Sequence, residues 1–457
     1  MPAFDAIVIG TGQAGPPLAR RLANAGWRVA VAERDRFGGT CINTGCTPTK
    51  TLVASAYAAH LSQRAAEFGV RLGGGVSVDM QQVKARKDYV LGFSRRGVER
   101  GLRSHPNISV YQGHAQFLSR SDVGVGSETL TAPKIFINVG GRALIPDIPG
   151  LDQVAYLTNS SLLEVDVVPP HLIVVGGSYV GLEFAQIFRR FGSKVTVIEV
   201  APRLIAREDA DTSAGVADIL AREGIELLLG AKELKLAKRG TDIVASLQLG
   251  GSTTEAVGSH VLIGVGRRPN TDDLGLDKAG VATDPRGFIS VDEELRTSVP
   301  GIWALGDCNG KGAFTHTSYN DFEIVAANLL DNDQRRLSDR ITAYNLYTDP
   351  PLGRIGMTEA EVRKSGRPAL MATMPMADVS RAFEKSETLG FMKVLVDHET
   401  KHILGAAILG VGGDEVIHAL LTLMYAKAPA TVMQRAVYIH PTVSELLPTL
   451  LGDLKPL

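Results

Sequence analysis

Two copies of a glycine-rich strand–helix–strand pattern constrain the fold of this 457-residue chain more than any other feature. In the first copy, the apolar run 3–9 leads into three glycines, a helical segment and a second apolar run, with functional positions Gly10, Gly12, Gly15 and Glu33. Such glycines let the backbone and a helix N-terminus approach a pyrophosphate, and the terminal acid accepts hydrogen bonds from a ribose. We therefore predict a dinucleotide-binding fold at the start of the chain.

The same pattern returns between residues 171 and 199, at the positions Gly176, Ser178, Gly181 and Glu199. Ser178 replaces the middle glycine and places a side chain where the backbone comes close to phosphates. Glu199 suits a free ribose 2′-hydroxyl, whereas a 2′-phosphate favours arginine. Because Arg203 and Arg207 follow closely, NADH and NADPH both stay open, with a preference for NADH.

The segment 38–50, GGTCINTGCTPTK, holds two of the three cysteines of the chain, Cys41 and Cys46. Small and apolar residues recur at helical spacing after it, so the pair lies near the start of a helix, where backbone amides lower the pKa of a thiol. This spacing favours a redox pair. Two other interpretations stay open: buried structural cysteines, or half of a zinc site, although no further cysteine or histidine ligand stands nearby.

Composition limits the class of protein. Apolar residues make up 44% of the chain and charged residues 21%, and the net charge is −1, which argues against a general nucleic-acid binder. No apolar run approaches the roughly 20 residues of a membrane span, and the first strand leaves no room for a signal peptide. We expect a cytoplasmic protein of about three domains, in which a disulfide is more often catalytic than structural.

With these motifs in order, the chain resembles the class I pyridine nucleotide–disulfide oxidoreductases, the family of dihydrolipoamide dehydrogenase, glutathione reductase and mercuric reductase. The resemblance implies an α/β fold with two Rossmann-like dinucleotide-binding domains, for FAD and NAD(P)H, and a C-terminal α+β dimerisation domain. The expected boundaries are 1–148 and 268–337 for the FAD domain, 149–267 for the NAD(P) domain and 338–457 for dimerisation. A β-hairpin that turns near 397–401 and an apolar helix at 416–426 are predicted within the last domain.

The resemblance also implies further cofactor contacts. Backbone near Ala115 and the turn at Gly140 would contact FAD, Asp307 would bind a ribitol hydroxyl, and His316 would contact the flavin through its backbone at the start of a long helix. Tyr179 matches a position that covers the nicotinamide side of the flavin, but a packed aromatic at a helix start is equally open. The other cofactor positions are Gly39, Thr40, Lys50 and Gly266.

For catalysis, the resemblance implies that Cys46 is the sulfur next to the flavin and Cys41 the outer sulfur that meets the substrate. The motif HPTVSE supplies His440 and Glu445, an acid–base pair that reaches the active site of the neighbouring subunit in a homodimer. Lys50 would lie by the flavin and pair with Glu183, the alternative being two unrelated surface charges. We predict no resident metal.

The expected function is an FAD-dependent NAD(P)H oxidoreductase that reduces a small oxidant, a metal ion such as mercury or copper, or a disulfide. Segments such as DPPLGRIGMTEAEVRKSG resemble mercuric-reductase-like flavoproteins, including the reactive-chlorine-resistance enzymes, but the chain lacks a C-terminal cysteine pair. Two alternatives are dihydrolipoamide dehydrogenase in an acyl-transfer complex, and a flavin-binding redox sensor with little turnover. No nucleic-acid or membrane partner is expected.

Overall fold

The first sheet of the protein is built around the first glycine-rich copy. The computed structural model describes residues 3–457. Five parallel strands form this sheet, in the spatial order Ile302–Ala304, Ile135–Ile137, Ala6–Ile9, Val29–Glu33 and Ile108–Gln112. Every residue of the three central strands is buried, as expected for a parallel sheet that is covered on both faces.

Helices from distant parts of the chain cover this sheet. Gly15–Asn24 begins at the third glycine of the loop, and the predicted helix before residue 103 is Met80–Arg103. The predicted long helix after the second flavin motif spans Thr315–Leu330. A small antiparallel sheet lies beside them, with strands Ala115–Phe117, Asp122–Val125 and Glu128–Thr131.

The second glycine-rich copy forms a second parallel sheet. Its strands, in spatial order, are Glu226–Leu229, Lys194–Glu199, His171–Val175, His260–Ile263 and Tyr156–Leu157. The helices Tyr179–Phe191 and Ala210–Arg222 accompany it, with an antiparallel sheet of Lys232–Arg239, Asp242–Leu249 and Ser252–Gly258. Gly141–Ala143 pairs with Arg267–Pro269 where the chain passes between the two parallel sheets.

A six-stranded antiparallel sheet forms the C-terminal part, in the order Ala343–Leu346, Leu352–Gly356, Ile403–Leu409, Phe391–Asp397, Ala369–Pro375 and Lys455–Pro456. The predicted hairpin is confirmed, because Phe391–Asp397 and Ile403–Leu409 are antiparallel neighbours. The predicted apolar helix is Gly413–Tyr425. Shorter helices are Glu359–Ser365, Ser380–Glu384, Thr431–Gln434 and Leu447–Gly452.

One helix connects the first two sheets and positions the cysteines. Cys46–Gln63 packs against Tyr179–Phe191, and Leu52 and Ala56 share a core cluster with Leu182 and Ala185. The predicted fold class, two Rossmann-like units and an α+β unit, is confirmed, while the domain boundaries stay a prediction. Between residues 3 and 457, no helix is both long and apolar enough to cross a membrane.

Candidate active site

A cleft of about 900 Å³ lies where the three sheets meet. Most of the residues that the sequence singled out for FAD and for electron transfer line it. Most of them come from the first glycine loop, the cysteine segment, the start of Tyr179–Phe191 and the start of Thr315–Leu330. These residues are Gly10, Gly12, Glu33, Gly39, Thr40, Cys41, Cys46, Lys50, Ala115, Gly140, Tyr179, Glu183, Asp307 and His316.

The floor of the cleft is backbone that leaves no room for side chains. Gly10 has a φ of +100°, and a Cβ there would lie 2.3 Å from the carbonyl oxygen of Asn138. A Cβ on Gly12 would lie 2.9 Å from the Asn138 side-chain oxygen, and one on Gly39 would lie 2.6 Å from the Gly12 Cα. The loop therefore presents bare backbone, which is what close approach to a pyrophosphate needs.

Asn138 is a site residue that sequence reasoning missed. Its side-chain oxygen accepts a 3.0 Å hydrogen bond from the Gly15 amide, and its side-chain nitrogen donates to the Leu305 carbonyl at 2.9 Å. Asn138 thus joins the first glycine loop to the second flavin motif. The one local sign of this role is that Asn138 directly precedes the predicted flavin-contacting turn, within the run INVGG.

Two acids stand where a dinucleotide would need them. Glu33 is buried at the end of its strand, and its carboxylate accepts hydrogen bonds from the Thr11 amide at 3.0 Å and the Asp35 amide at 2.9 Å. Asp307 lies 3.3 Å from the guanidinium of Arg267. Burial raises the pKa of Asp307, and the nearby arginine opposes that shift. Both carboxylates are positioned to accept hydrogen bonds from sugar hydroxyls.

The two cysteines lie in consecutive helices. Cys41 lies in the helix Gly39–Asn43, and Cys46 is the first residue of Cys46–Gln63; both are free thiols. The hydrogen bond from Cys41 lowers the pKa of Cys46 to about 6, with help from Thr315 and Lys50. The same interaction and burial raise the pKa of Cys41. In the reduced pair, negative charge therefore resides on Cys46 and the proton on Cys41.

Thr315 is a second residue whose role the sequence did not reveal. Its hydroxyl oxygen lies 3.0 Å from the Cys46 sulfur, across 269 residues of sequence. As the first residue of Thr315–Leu330, it brings a helix N-terminus and a hydroxyl donor to the same sulfur. Both favour the thiolate.

Lys50 and Glu183 form the predicted pair. The Lys50 ammonium lies 2.7 and 2.9 Å from the two carboxylate oxygens of Glu183. The Glu183 side chain is only 7% exposed, so the alternative of two unrelated surface charges is wrong. Tyr347 completes the group, because its amide donates to Glu183 at 3.0 Å and its ring centre lies 4.6 Å from the Lys50 nitrogen.

Several predicted residues lie outside this cleft. Gly15 and Gly181 serve packing, because a Cβ on either would lie within 2.3 Å of the carbonyl oxygen of Gly10 or Gly176, respectively. The other predicted residues that do not line it are Gly176, Ser178, Glu199, Gly266, His440 and Glu445. Of these, Ser178 precedes the helix Tyr179–Phe191, and Glu199 ends its strand beside the second glycine loop.

His440 and Glu445 form the predicted contact with each other on the surface. The His440 Nδ1 lies 3.0 and 3.1 Å from the two Glu445 carboxylate oxygens. The His440 side chain is 75% exposed, and its neighbours Val437 and Ile439 are 99% and 80% exposed. The pair does not line the cleft that contains the cysteines of the same chain.

The His316 side chain is engaged by two neighbours. Its Nε2 donates to the Ala343 carbonyl at 2.7 Å, and its ring stacks on Phe314 with centres 5.4 Å apart. Burial lowers the pKa of His316, which keeps the ring neutral. The expected backbone contact of His316 with a flavin stays a prediction.

Comparison with known proteins then decides the family. Residues 4–321 match the family model of pyridine nucleotide-disulphide oxidoreductases, and residues 342–451 match the dimerisation domain of the same family. The chain belongs to this family. It is an enzyme of the flavoprotein disulfide reductase type, dependent on a flavin and a pyridine nucleotide, as the sequence predicted.

Known relatives cover the whole chain. It is 36% identical to the probable pyridine nucleotide-disulfide oxidoreductase RclA of Escherichia coli K12, over 99% of both chains. It is 33% identical to a mercuric reductase of Streptomyces lividans, over 97% of this chain and 94% of that one. A dihydrolipoyl dehydrogenase of Thermus scotoductus is also 33% identical, over 97% and 96%.

Solved structures agree. The HOCl-induced flavoprotein disulfide reductase RclA from Escherichia coli superposes with a TM-score of 0.90, at 35% identity over 99% of this chain and 100% of that one. Its Cu(II) complex superposes equally well, over 99% of each chain. The predicted resemblance to mercuric-reductase-like and reactive-chlorine-resistance enzymes is confirmed.

Proposed function

We propose that this chain is a homodimeric, FAD-dependent NADH oxidoreductase that passes electrons through Cys41 and Cys46 to a small oxidant, a metal ion or a disulfide. One observation carries the proposal. The Cys46 sulfur, with a pKa lowered to about 6, lies in a backbone-floored cleft that also contains the Lys50–Glu183 pair. Two cysteine thiols in a cleft of this kind, one with a lowered pKa, are suited to two-electron thiol–disulfide chemistry.

The residues present fit FAD. The bare backbone at Gly10 and Gly12 suits a pyrophosphate, and Glu33 and Asp307 suit the hydroxyls of ribose and ribitol. When bound, the flavin supplies two-electron transfer between the nicotinamide and the disulfide. The protein contributes a fixed positive charge at Lys50, which Glu183 holds in place and which stabilises negative charge that develops nearby.

Proton transfer is assigned to the thiol pair and to the histidine of a second copy. The proton of the reduced pair resides on Cys41, so attack by Cys41 on a substrate requires a base. Glu445 binds the Nδ1 side of His440, which leaves Nε2 as the proton acceptor. We assign this role to the partner's His440, because His440 does not line the cleft of its own chain.

The second glycine loop favours NADH over NADPH. The Glu199 carboxylate accepts hydrogen bonds from the Gly177 amide at 2.5 Å and from the Ala201 amide at 2.7 Å, which holds it where a ribose 2′-hydroxyl is recognised. The Arg203 guanidinium donates to the carbonyls of Ala206 and Glu208 and is therefore engaged within its own loop. Of these two arginines, Arg207 is the exposed one.

The substrate is proposed as a small oxidant or metal ion ahead of lipoamide. RclA was solved as a Cu(II) complex and is described as HOCl-induced, and a mercuric reductase is a relative of similar identity. The third cysteine, Cys308, is buried, so in the described part of the chain Cys41 and Cys46 are the thiols that a substrate can reach. The dihydrolipoyl dehydrogenase relative keeps lipoamide as the alternative.

A steady-state panel tests the proposal on the FAD-loaded protein. The substrates are lipoamide, glutathione disulfide, mercuric and cupric ions and hypohalous oxidants, each with NADH and with NADPH. We expect turnover of an oxidant or metal ion with NADH, and its loss in Cys41→Ser. Cys308→Ala is the matched control, since this cysteine lies outside the cleft, and it retains turnover.

Other results would contradict this assignment. Full turnover in Cys41→Ser would remove the proposed role of the outer sulfur. Lipoamide as the best substrate would support the dihydrolipoyl dehydrogenase alternative. Absence of turnover with every substrate, in a protein that binds FAD, would support a redox sensor.

A further inference from the structure

A buried carboxylate contacts the turn that carries Asp307, the predicted ribitol ligand. Asp321 is 2% exposed and lies on the helix Thr315–Leu330. Its Oδ2 accepts a 2.8 Å hydrogen bond from the Gly306 amide and a 3.0 Å bond from the Asn309 side-chain nitrogen. Asp307 lines the cleft and Asp321 does not, so Asp321 can act on a bound cofactor only through this turn.

The turn is packed closely against the same helix. Gly306 has a φ of +75°, and a Cβ there would lie 2.6 Å from the Ser318 hydroxyl oxygen. On the other side of the turn, the Asn309 side-chain nitrogen also donates to the Ala304 carbonyl at 3.0 Å. These contacts hold the backbone before and after Asp307, so a movement of the turn would displace the Asp307 carboxylate.

The guanidinium of Arg340 contacts the other oxygen of this carboxylate. Its Nη2 donates to the Asp321 Oδ1, its Nε donates to the Asn320 side-chain oxygen at 2.9 Å, and its side chain is 12% exposed. Burial raises the pKa of Asp321, and the Arg340 charge opposes that shift. Since an ionised carboxylate only accepts hydrogen bonds, it suits the three donors around it, but a buried charge without its counterion is costly. Asp321 therefore depends on Arg340.

Arg340 belongs to the connection that leads into the C-terminal sheet. It stands three residues before the first strand of that sheet, Ala343–Leu346. The next residue, Ile341, donates its amide to the Tyr425 hydroxyl at 3.1 Å, and Tyr425 ends the apolar helix of the C-terminal part. The counterion of Asp321 is thus supplied from the C-terminal side, and the pair connects that part of the chain to the second flavin motif.

We infer that Asp321, paired with Arg340, is a positioning residue that holds the Asp307 turn in the conformation that binds FAD and so slows the release of the cofactor. The inference rests on the proposed function, since it takes Asp307 as a ligand of FAD. It adds two residues outside the cleft to those that determine how firmly the cofactor is held.

The test measures FAD release from the FAD-loaded protein. Asp321→Asn keeps the size of the side chain and removes its charge. We expect FAD to dissociate about tenfold faster, the usual scale for the loss of a hydrogen bond to a charged group. The rate is measured as the rise in fluorescence of free FAD after dilution. The free energy of unfolding in urea is measured for every variant, so that an effect on the cofactor is separated from an effect on the fold.

Arginine variants test the counterion. Arg340→Gln leaves both donors of the turn in place, and we expect it to speed FAD release as well. Arg340→Lys keeps the charge, and we expect it to retain most of the slow release. In the double variant Asp321→Asn, Arg340→Gln, the effect should be smaller than the product of the two single effects, because both substitutions act on one contact. If Asp321→Asn does not fold, the two single arginine variants decide.

Glu223→Gln is the matched control. It removes the charge from another largely buried arginine–carboxylate contact, 2.7 Å from Arg190, and neither residue lines the cleft. We expect this variant to lower the free energy of unfolding and to release FAD as the wild type does. Unchanged release in Asp321→Asn and Arg340→Gln, or equally fast release in Glu223→Gln, overturns the inference. Failure of the proposed function looks different, because the wild type then binds no FAD.

Discussion

At the scale of single residues, the proposed chemistry depends on how negative charge is divided between the two thiols. The hydrogen bond from Cys41, the Thr315 hydroxyl and Lys50 all favour negative charge on Cys46, and burial opposes them. We expect the thiolate of the reduced protein to titrate with a midpoint near the Cys46 pKa of about 6. Ultraviolet thiolate absorbance measures it, with Cys46→Ser as the reference.

Ionisation of Cys46 also makes the stability of the fold depend on pH. The Cys46 pKa is lowered from an ordinary 9.0 to about 6. The stability that Cys46 ionisation contributes is therefore fully present above pH 9.0 and is lost as the pH falls through about 6. Thr315→Val removes a stabilising hydroxyl and raises the midpoint, whereas Thr315→Ser keeps it. A midpoint near that of an ordinary cysteine in the wild type would contradict this account.

At the scale of elements, local pattern was sufficient to predict much of the chain. The glycine loops, the helix after the cysteines and the hairpin near 397–401 were predictable because their signals lie within about 30 residues. Asn138 and Thr315 were not, because their roles depend on contacts between segments far apart in sequence. A single sequence carries no local sign of such contacts, whereas Lys50 and Glu183 were found only through the family resemblance.

Lys393 shows how two elements are held together by charge. It is 1% exposed on the strand Phe391–Asp397, and its ammonium lies 3.1 Å from Asp209 and 2.8 Å from Asp211, at the start of Ala210–Arg222. Lys393→Met removes the nearest cation of both carboxylates. We expect a loss of about 3–5 kcal/mol in unfolding free energy, the usual cost of breaking a buried pair, measured by urea denaturation.

The exposed Lys238 is the matched control for that substitution. Lys238 lies on the strand Lys232–Arg239. We expect Lys238→Met to change the unfolding free energy little, as is usual for a surface substitution. Lowering the pH also weakens the contact between Lys393 and Asp209. Burial raises the pKa of Asp209. The amides of Glu359 and Ala360 and the Lys393 charge lower it by more, so the pKa lies below its ordinary value. The stability it contributes is lost as the pH falls through its folded pKa. Equal losses in both lysine variants would contradict a specific role for Lys393.

At the scale of the whole molecule, the proposed mechanism needs a residue that does not line the cleft of its own chain. The cleft contains the cysteines and the Lys50–Glu183 pair, while His440 stands exposed next to two exposed apolar side chains. The C-terminal part of the chain is the dimerisation domain of the family. In a twofold dimer, residues of one copy that contact the other do so reciprocally, so each cleft can receive one histidine from its partner.

Hybrid dimers test this arrangement directly. Cys41→Ser and His440→Ala homodimers are each expected to lose disulfide turnover. In a hybrid of the two, one cleft combines Cys41 from one copy with the partner's His440, so one working site of two is restored. The mirror experiment pairs a wild-type copy with a Cys41→Ser, His440→Ala double variant. There each cleft lacks either the cysteine or the histidine, and we expect turnover to be lost. Differently tagged copies allow both hybrids to be purified and assayed at steady state. If each histidine served its own subunit, the outcomes would be reversed: the first hybrid would be inactive and the second active.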